Sequence, residues 1–392
     1  MSSPSGVLTR PVRDKATLLA YAQMGLLGWF VYAFGASLTL VRDDQGMSRV
    51  GISVLSISLA LGGIVGSLLA PRFVNSFGRG NLLRASSAAY VVAVLLYASG
   101  GPLWLIAAGP FLGSLANGFA SVGASAFLQE RQRDAAQAAI TEANLVASVC
   151  SIIGTVAVGV AATTLLGWRA GMLMIVPLAI AMELVRGRKA RVFDMGVEAE
   201  RKATGPLPGL MWWSILTVIL LFSIEFCLLL WGADLLRARG GLDAAAASTA
   251  IAAVGGGIII GRLVGSRLLR QVPSERALLG SVFLAGIGFA WLWLSTDPLM
   301  MILALVVTGA GMSLHIPLGI ARTMRASGRH PDRAAGLVNA GMAVTSGIAP
   351  FALAGLADGW GVHRAFGILC IFFVGGLVLL VLKPVPERIE LD

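Results

Sequence analysis

The stretch GSLLAPRFVNSFGRGNLLRAS, residues 66–86, joins two long apolar runs and is one of the few basic, glycine-containing breaks in the first half of the chain. A second stretch, GRLVGSRLLRQVPSERALLGS, occurs 195 residues later, at 261–281. The same offset aligns further pairs along each half: Leu68 with Leu263, Leu83 with Leu278, Ser86 with Ser281, Asn144 with Asn339 and Ser151 with Ser346. A fixed offset of half the chain length indicates a duplicated unit, and duplicated apolar halves are typical of transporters.

The composition indicates a membrane protein. Of the 392 residues, 57% are hydrophobic and 13% are charged, and the mean hydropathy is +0.83, whereas soluble proteins contain about 25% charged residues. The net charge of +10 comes from basic residues between apolar runs, which favours orientation in a membrane over nucleic-acid binding. Cys150, Cys227 and Cys370 lie within apolar runs, so we expect buried thiols and neither a disulfide framework nor a metal site.

The apolar runs have the length of membrane spans. A hydrocarbon core about 30 Å thick requires about 20 apolar residues per helix. We find twelve such runs, at 18–40, 50–70, 82–99, 103–127, 138–163, 169–185, 209–236, 244–266, 277–296, 299–320, 334–356 and 364–383. We therefore predict an all-α polytopic membrane protein with twelve transmembrane helices in two pseudo-symmetric six-helix bundles. The bundles span 1–185 and 209–392, and the polar segment 186–208 is a cytoplasmic linker.

Arginine and lysine predict the orientation. With the N-terminus inside, the opposite side keeps only a few basic residues: Arg42, Arg49, Arg169, Arg237, Arg239 and Arg364. This bias predicts that both termini are cytoplasmic in a multi-pass protein of the cell (inner) membrane. The polar N-terminus shows no cleavage site after a short apolar core, so we expect the first apolar run to remain as a helix.

The two basic breaks resemble the loop between helices 2 and 3 that marks the major facilitator superfamily, and its echo between helices 8 and 9. Matching residues in the first break are Gly66, Arg72, Gly78 and Arg79, although Pro71 stands where the family has Asp. The second break keeps Gly261, Arg262 and Arg267. Segments around Glu225, Trp231 and His315 also look similar to a prokaryotic branch related to sugar permeases. The resemblance implies alternating access, in which two six-helix halves rock around a central cavity.

Two acids in the seventh run are candidate functional groups. Glu225 lies near the midplane among apolar neighbours, where ionisable residues are costly and usually face a cavity or a partner. We expect it to be the proton-coupling acid or a substrate ligand, the alternative being a neutral structural Glu. Asp234 lies nine residues further, where substrate binding and an interfacial pair with Arg237 are both consistent with the pattern. Asp43 and Asp44 could form an outer latch with Arg237 and Arg239, or remain solvated loop residues.

The resemblance implies that helices 5 and 8 meet between the two halves. Glu142 begins helix 5 and Arg262 ends helix 8, both on the predicted inner side. We therefore expect these two residues to form a charge pair that closes an inner gate. The alternative is a Glu favoured in the first turn of a helix and an Arg that faces lipid headgroups.

Several other polar or aromatic residues are candidates for the cavity. Asn144 and Asn339 occupy equivalent places in helices 5 and 11, where amides can line a cavity or join helices. The resemblance places Asn117 and His315 in helices that flank the cavity. His315 could join a proton path or, with Pro317, mark a bend. Trp231 and Tyr32 could stack on a ring-shaped substrate. No P-loop or HExxH motif occurs, and GGGIIIG at 255–261 indicates close helix packing.

The sequence therefore predicts a secondary transporter, not an enzyme, without a cofactor or metal. The leading version is proton-coupled import of a small polar solute, a sugar or an organic acid, by a monomer in the lipid bilayer. The alternative is proton-driven efflux of a lipophilic compound. A hypothesis of another class is a non-transporting membrane sensor.

Overall fold

The computed structural model describes residues 11–132, 135–187, 193, 207–269, 271–328 and 331–386. These residues form helices and no strands. The helices are α1 (Lys15–Gln45), α2 (Arg49–Phe77), α3 (Arg79–Tyr97), α4 (Leu103–Gln132), α5 (Ala136–Ala162), α6 (Gly167–Leu173), α7 (Ile175–Arg186), α8 (Gly209–Gly240), α9 (Ala244–Ala250), α10 (Ala252–Leu268), α11 (Ser274–Leu294), α12 (Pro298–Met312), α13 (His315–Ala326), α14 (Pro331–Trp360), α15 (Val362–Phe366) and α16 (Ile368–Leu382).

Twelve stretches of the described residues are long and apolar enough to cross a membrane, which confirms the predicted fold class. In chain order, spans 1–5 are α1–α5, span 6 joins α6 and α7, and span 7 is α8. Span 8 joins α9 and α10, span 9 is α11, span 10 joins α12 and α13, span 11 is α14, and span 12 joins α15 and α16. Most of the predicted linker, 186–208, lies outside the described residues.

The break in span 10 has a local cause. Helix α12 ends at Met312 and α13 begins at His315, with Ser313 and Leu314 between them. Pro317 has no backbone N–H, and its ring collides with the carbonyl four residues earlier, which belongs to Ser313. The helix is therefore interrupted directly before His315, and the choice between a proton path and a bend for this residue remains a prediction.

The described chain clusters into two compact units. The first contains the described residues of 1–31, 62–151 and 173–199, and the second contains those of 32–61, 152–172 and 200–392. The second unit thus includes the end of span 1, the start of span 2 and residues 152–172, in addition to the later spans. The predicted division into bundles at 1–185 and 209–392 follows the chain and remains a prediction.

Repeat-related glycines pack both units in the same way. A Cβ at Gly62 or Gly66 would collide with the backbone of Phe111 or Leu115 in span 4. The 195-residue offset carries these contacts to Gly257 and Gly261, where a Cβ would collide with Val306 or Ala310 in span 10. Small residues allow membrane helices to approach closely, so the glycine-rich segment of span 8 serves helix packing, as its sequence indicated.

Candidate transport site

A half-buried acid lies at the middle of span 7. Glu225 is at the centre of Gly209–Gly240, and apart from Ser223 the residues around it are apolar and mostly buried. The hydroxyl of Tyr32 donates a hydrogen bond of 3.1 Å to Oε1 of Glu225. Arg262 of span 8 is close enough to act electrostatically on both groups. An acid, a phenol and a guanidinium from three spans therefore converge in an apolar setting, where charge interactions are strong.

Close packing of spans 1 and 7 holds this pair in register. A Cβ at Gly35 would lie 2.7 Å from Cγ of Leu229, so the two helices touch there. Gly35 is about one turn after Tyr32, and Leu229 is about one turn after Glu225. The contact therefore fixes the two partners at the level where the hydroxyl reaches the carboxylate.

A second group of charges lies near the C-terminal end of span 7, which the arginine bias assigns to the outside. Asp234 is 3% exposed, and its Oδ2 accepts hydrogen bonds from Arg42 and, at 2.7 Å, from Arg49. Arg49 also lies 3.4 Å from Asp358, whose carboxylate accepts the backbone N–H of Val50 at 3.0 Å and so caps span 2. Asp234 thus pairs with arginines of spans 1 and 2 and not with Arg237.

Further ion pairs extend this group. Arg237 bonds Asp43 at 2.7 Å, which is one of the latch contacts that the sequence suggested. Asp44 instead accepts the indole N–H of Trp168 at 2.7 Å and pairs with Arg169 at 2.9 Å. We call the set Asp43, Asp234, Asp358, Arg42, Arg49 and Arg237 the outer charge cluster. Because Asp234 is buried, its two arginines offset a desolvation cost that exposed pairs do not carry.

Glu142 has partners within its own unit. Its carboxylate accepts hydrogen bonds from Arg13, at 3.1 and 2.7 Å, and from the hydroxyl of Tyr21, at 3.0 Å. The hydrogen bond and the charge of Glu142 raise the pKa of Arg13. Arg262 belongs to the other unit, where it interacts electrostatically with Glu225. An inner gate formed by Glu142 and Arg262 remains a prediction.

The same region anchors the start of the described chain. Arg131 pairs with Asp14, and the side chain of Gln132 exchanges hydrogen bonds of 2.9 and 2.8 Å with the backbone of Val12. Partial burial acts to raise the pKa of Asp14, but hydrogen bonds from Thr17 and Arg131 outweigh it and hold that pKa below its usual value. These contacts tie the segment before span 1 to the end of span 4.

The family model of the Major Facilitator Superfamily matches residues 19–290 and 209–391. The chain belongs to this superfamily. Its members are membrane transporters, and the fold and the family agree with the sequence-based interpretation. No curated protein matches the chain by sequence.

Solved structures show the same fold. A bacterial homolog of the human lysosomal transporter Spinster, inward-facing and unoccupied, has a TM-score of 0.77 at 11% identity, over 95% of this chain and 97% of that one. A D-xylose–proton symporter has a TM-score of 0.75 at 12% identity, over 95% and 98% of the two chains. The inward-open xylose transporter XylE from E. coli has a TM-score of 0.72 at 11% identity, over 96% and 97%.

The superfamily loop between spans 2 and 3 has a structural core and an exposed part. Gly78 has φ +82° at the N-cap of span 3, a conformation that glycine adopts without strain. Arg79 is buried and bonds both oxygens of Glu130 at 2.8 Å. Arg72 and its repeat mate Arg267 are exposed. Arg79 therefore joins spans 3 and 4 through a bidentate pair, the strong form of such a bond.

The remaining candidates have different environments. Tyr90 donates to Asn117 at 2.6 Å within the first unit, and Trp231 is buried with its indole donating to the carbonyl of Pro350 at 3.1 Å. His315 is also buried. Asn144 and Asn339 are both exposed, and Asn144 donates to the carbonyl of Ile140 in its own helix. Cavity roles for these five residues remain predictions, and the contacts give Trp231 and Asn117 structural partners.

Sequence reasoning missed Arg42 and Arg49 as partners of Asp234. It assigned them to the outside only as exceptions to the basic bias. Arginines on the side that the bias leaves poor in basic residues were a usable signal, because Arg42, Arg49, Arg169 and Arg237 each pair with an acid. Within the described part of the chain, no group of three His, Cys, Asp or Glu side chains is placed to hold a metal ion.

Proposed function

We propose that the protein is a secondary transporter that works by alternating access and imports a small polar solute together with protons. The observation that carries the proposal is Glu225, a carboxyl at the middle of a membrane span that bonds Tyr32 and interacts with Arg262. Ionisable groups at this depth mark ion and proton paths by default. One structural neighbour is a D-xylose–proton symporter, so the same fold supports this kind of transport in another protein.

The three groups can couple a proton to a conformational change. The ionised carboxylate of Glu225 attracts Arg262, and protonation removes that attraction. The guanidinium of Arg262 and the hydroxyl of Tyr32 can then bind oxygen atoms of a solute, since both groups donate hydrogen bonds. A sugar or an organic acid presents such oxygens. In this scheme Glu225 carries the proton, Arg262 senses its charge, and Tyr32 positions the carboxyl.

The test uses proteoliposomes that contain a pH-sensitive dye. Panels of sugars, organic acids, amino acids and hydrophobic drugs are added to wild type and to Glu225→Gln. With wild type, we expect one class of polar solute to cause inward proton movement. With Glu225→Gln, we expect the same solute to be transported without proton movement, or not to be transported. The matched control is Glu183→Gln, which removes an acid that pairs with Arg186 in span 6.

The outcomes separate the alternatives. Proton movement that responds only to hydrophobic drugs would favour efflux. Transport of a polar solute with the same proton movement in Glu225→Gln would show that Glu225 is not the coupling acid. Absence of transport for every class would favour a sensor.

A further inference from the structure

We propose that a groove between spans 9 and 12 binds one anionic phospholipid, with an acyl chain in the groove and the phosphate at Arg276. The groove has a volume of about 710 Å³. One wall of the groove is a single face of span 9, formed by Leu279, Gly280 and Phe283. The other wall is formed by the last two turns of span 12, which include Leu377 and Val381. This site is separate from Glu225 and does not depend on the proposed transport cycle.

The shape of the groove comes from Gly280. A Cβ at this position would meet nothing within 4 Å, so the absent side chain leaves open space instead of a close helix contact. The neighbouring apolar side chains are strongly exposed, with Phe283 at 60% and Val381 at 63%. A surface of this kind, within two membrane spans, is complementary to a hydrocarbon chain and not to water.

The charge at one end of the groove selects the headgroup. Arg276 lies in the first turn of span 9, is exposed, and has no ion-pair partner within the described part of the chain. The adjacent acid, Glu275, is already bonded by Arg322 at 3.1 Å and by Arg325 at 3.3 Å. Lys383 directly follows the groove residue Leu382. Glu275 is therefore already paired, while Arg276 lines the groove and Lys383 follows it, with its Nζ 5.8 Å from the ring centroid of Trp213.

The predicted orientation places this basic end at the cytoplasmic leaflet, which carries anionic lipids. Basic pockets between membrane helices on this side are suited to anionic headgroups. A zwitterionic lipid also carries a phosphate, but its ammonium group would meet the same basic end, so its net charge would not complement Arg276 and Lys383. The charge balance therefore favours an anionic glycerophospholipid over a neutral one.

Native mass spectrometry of the purified full-length protein tests the assignment. Wild type is titrated with phosphatidylglycerol and with phosphatidylcholine of the same acyl chains. We expect the first phosphatidylglycerol to bind several-fold more tightly than phosphatidylcholine, and Arg276→Gln to weaken only the anionic lipid, by about fivefold. Arg276→Lys should restore most of this preference. Gly280→Leu should weaken both lipids because it fills the groove.

Matched controls make the result decisive. Arg72→Gln removes another exposed arginine, and Gly359→Leu adds the same side chain at another glycine with open space around it, and both should bind lipid as wild type does. Size-exclusion elution confirms that each variant is folded. Equal affinity of wild type for the two lipids, equal losses in Arg276→Gln and Arg72→Gln, or displacement of the lipid by excess inorganic phosphate would overturn the proposal.

Discussion

The substitution Asp234→Asn should weaken the outer charge cluster without changing the shape of the side chain. It removes the carboxylate that Arg42 and Arg49 share, while both arginines keep other acidic neighbours, Asp43 and Asp358. Breaking a fully buried ion pair costs about 3–5 kcal/mol. Because the Arg42 and Arg49 side chains are 12% and 29% exposed, we expect a smaller loss of about 2–3 kcal/mol, or about 30- to 160-fold in the equilibrium between closed and open outer ends.

Double electron–electron resonance can measure this shift. Spin labels at Ser48→Cys and Ala238→Cys, two exposed positions beside the cluster, report the distance between the start of span 2 and the end of span 7. The native cysteines Cys150, Cys227 and Cys370 are replaced first. Wild type should give one dominant short distance, and Asp234→Asn should add or favour a longer one.

Asp358→Asn is the matched control. This acid is 27% exposed and its bond to Arg49 is 3.4 Å long, so its removal should cost under about 1 kcal/mol and leave the distance distribution nearly unchanged. If Asp234→Asn gives the same distribution as wild type, or if Asp358→Asn produces the larger change, then the buried carboxylate does not hold this end closed.

Three further predictions follow from the contacts. Tyr32→Phe removes the donor to Glu225 and should slow uptake in proteoliposomes about tenfold; an unchanged rate would exclude a role for this bond. Gly261→Ala forces a methyl group onto the backbone of span 10 and should lower the unfolding temperature, whereas Gly280→Ala, with open space around it, should not. Arg322→Ala breaks a buried pair with Glu275 and should cost about 3–5 kcal/mol, seen as loss of the monodisperse peak, more than Arg325→Ala does; equal yields would contradict this.

The fold could be predicted from the sequence because the bilayer imposes a length on every span. The twelve apolar runs agree with the twelve spans to within several residues at most ends. The ends differ most where a helix continues beyond the apolar run, as in span 2, predicted to end at 70 and found to end at Phe77 with Arg72 in the extension, since a helix can carry charges into the headgroup region. One of the aligned pairs of the 195-residue repeat, Gly66 with Gly261, has a packing reason, because both copies require a small residue at that helix contact.

The site was only partly predictable. Glu225 was found because an acid in an apolar run is costly and therefore conspicuous. The bond between Glu225 and Tyr32 could not be predicted, because the sequence does not show which residues of spans 1 and 7 lie at the same level. The predicted gate between Glu142 and Arg262 remains a prediction, and the contact of Glu142 with Arg13 was missed because Arg13 lies in a polar segment that shows no helical periodicity. Pairings between residues more than a hundred positions apart depend on tertiary packing, which cannot be read from sequence periodicity or motifs.

The glycine contacts have a consequence for biosynthesis. Gly62 and Gly66 meet Phe111 and Leu115, so everything needed to dock span 2 against span 4 has been synthesised about fifty residues after the glycines themselves. The ribosome adds about 5–20 residues per second, so this docking can be complete many seconds before Gly257 and Gly261 leave the ribosome. Each copy of the duplicated unit thus contains its own early assembly step, and a ribosome that stalls midway would leave an N-terminal part with its span 2–span 4 contact already formed.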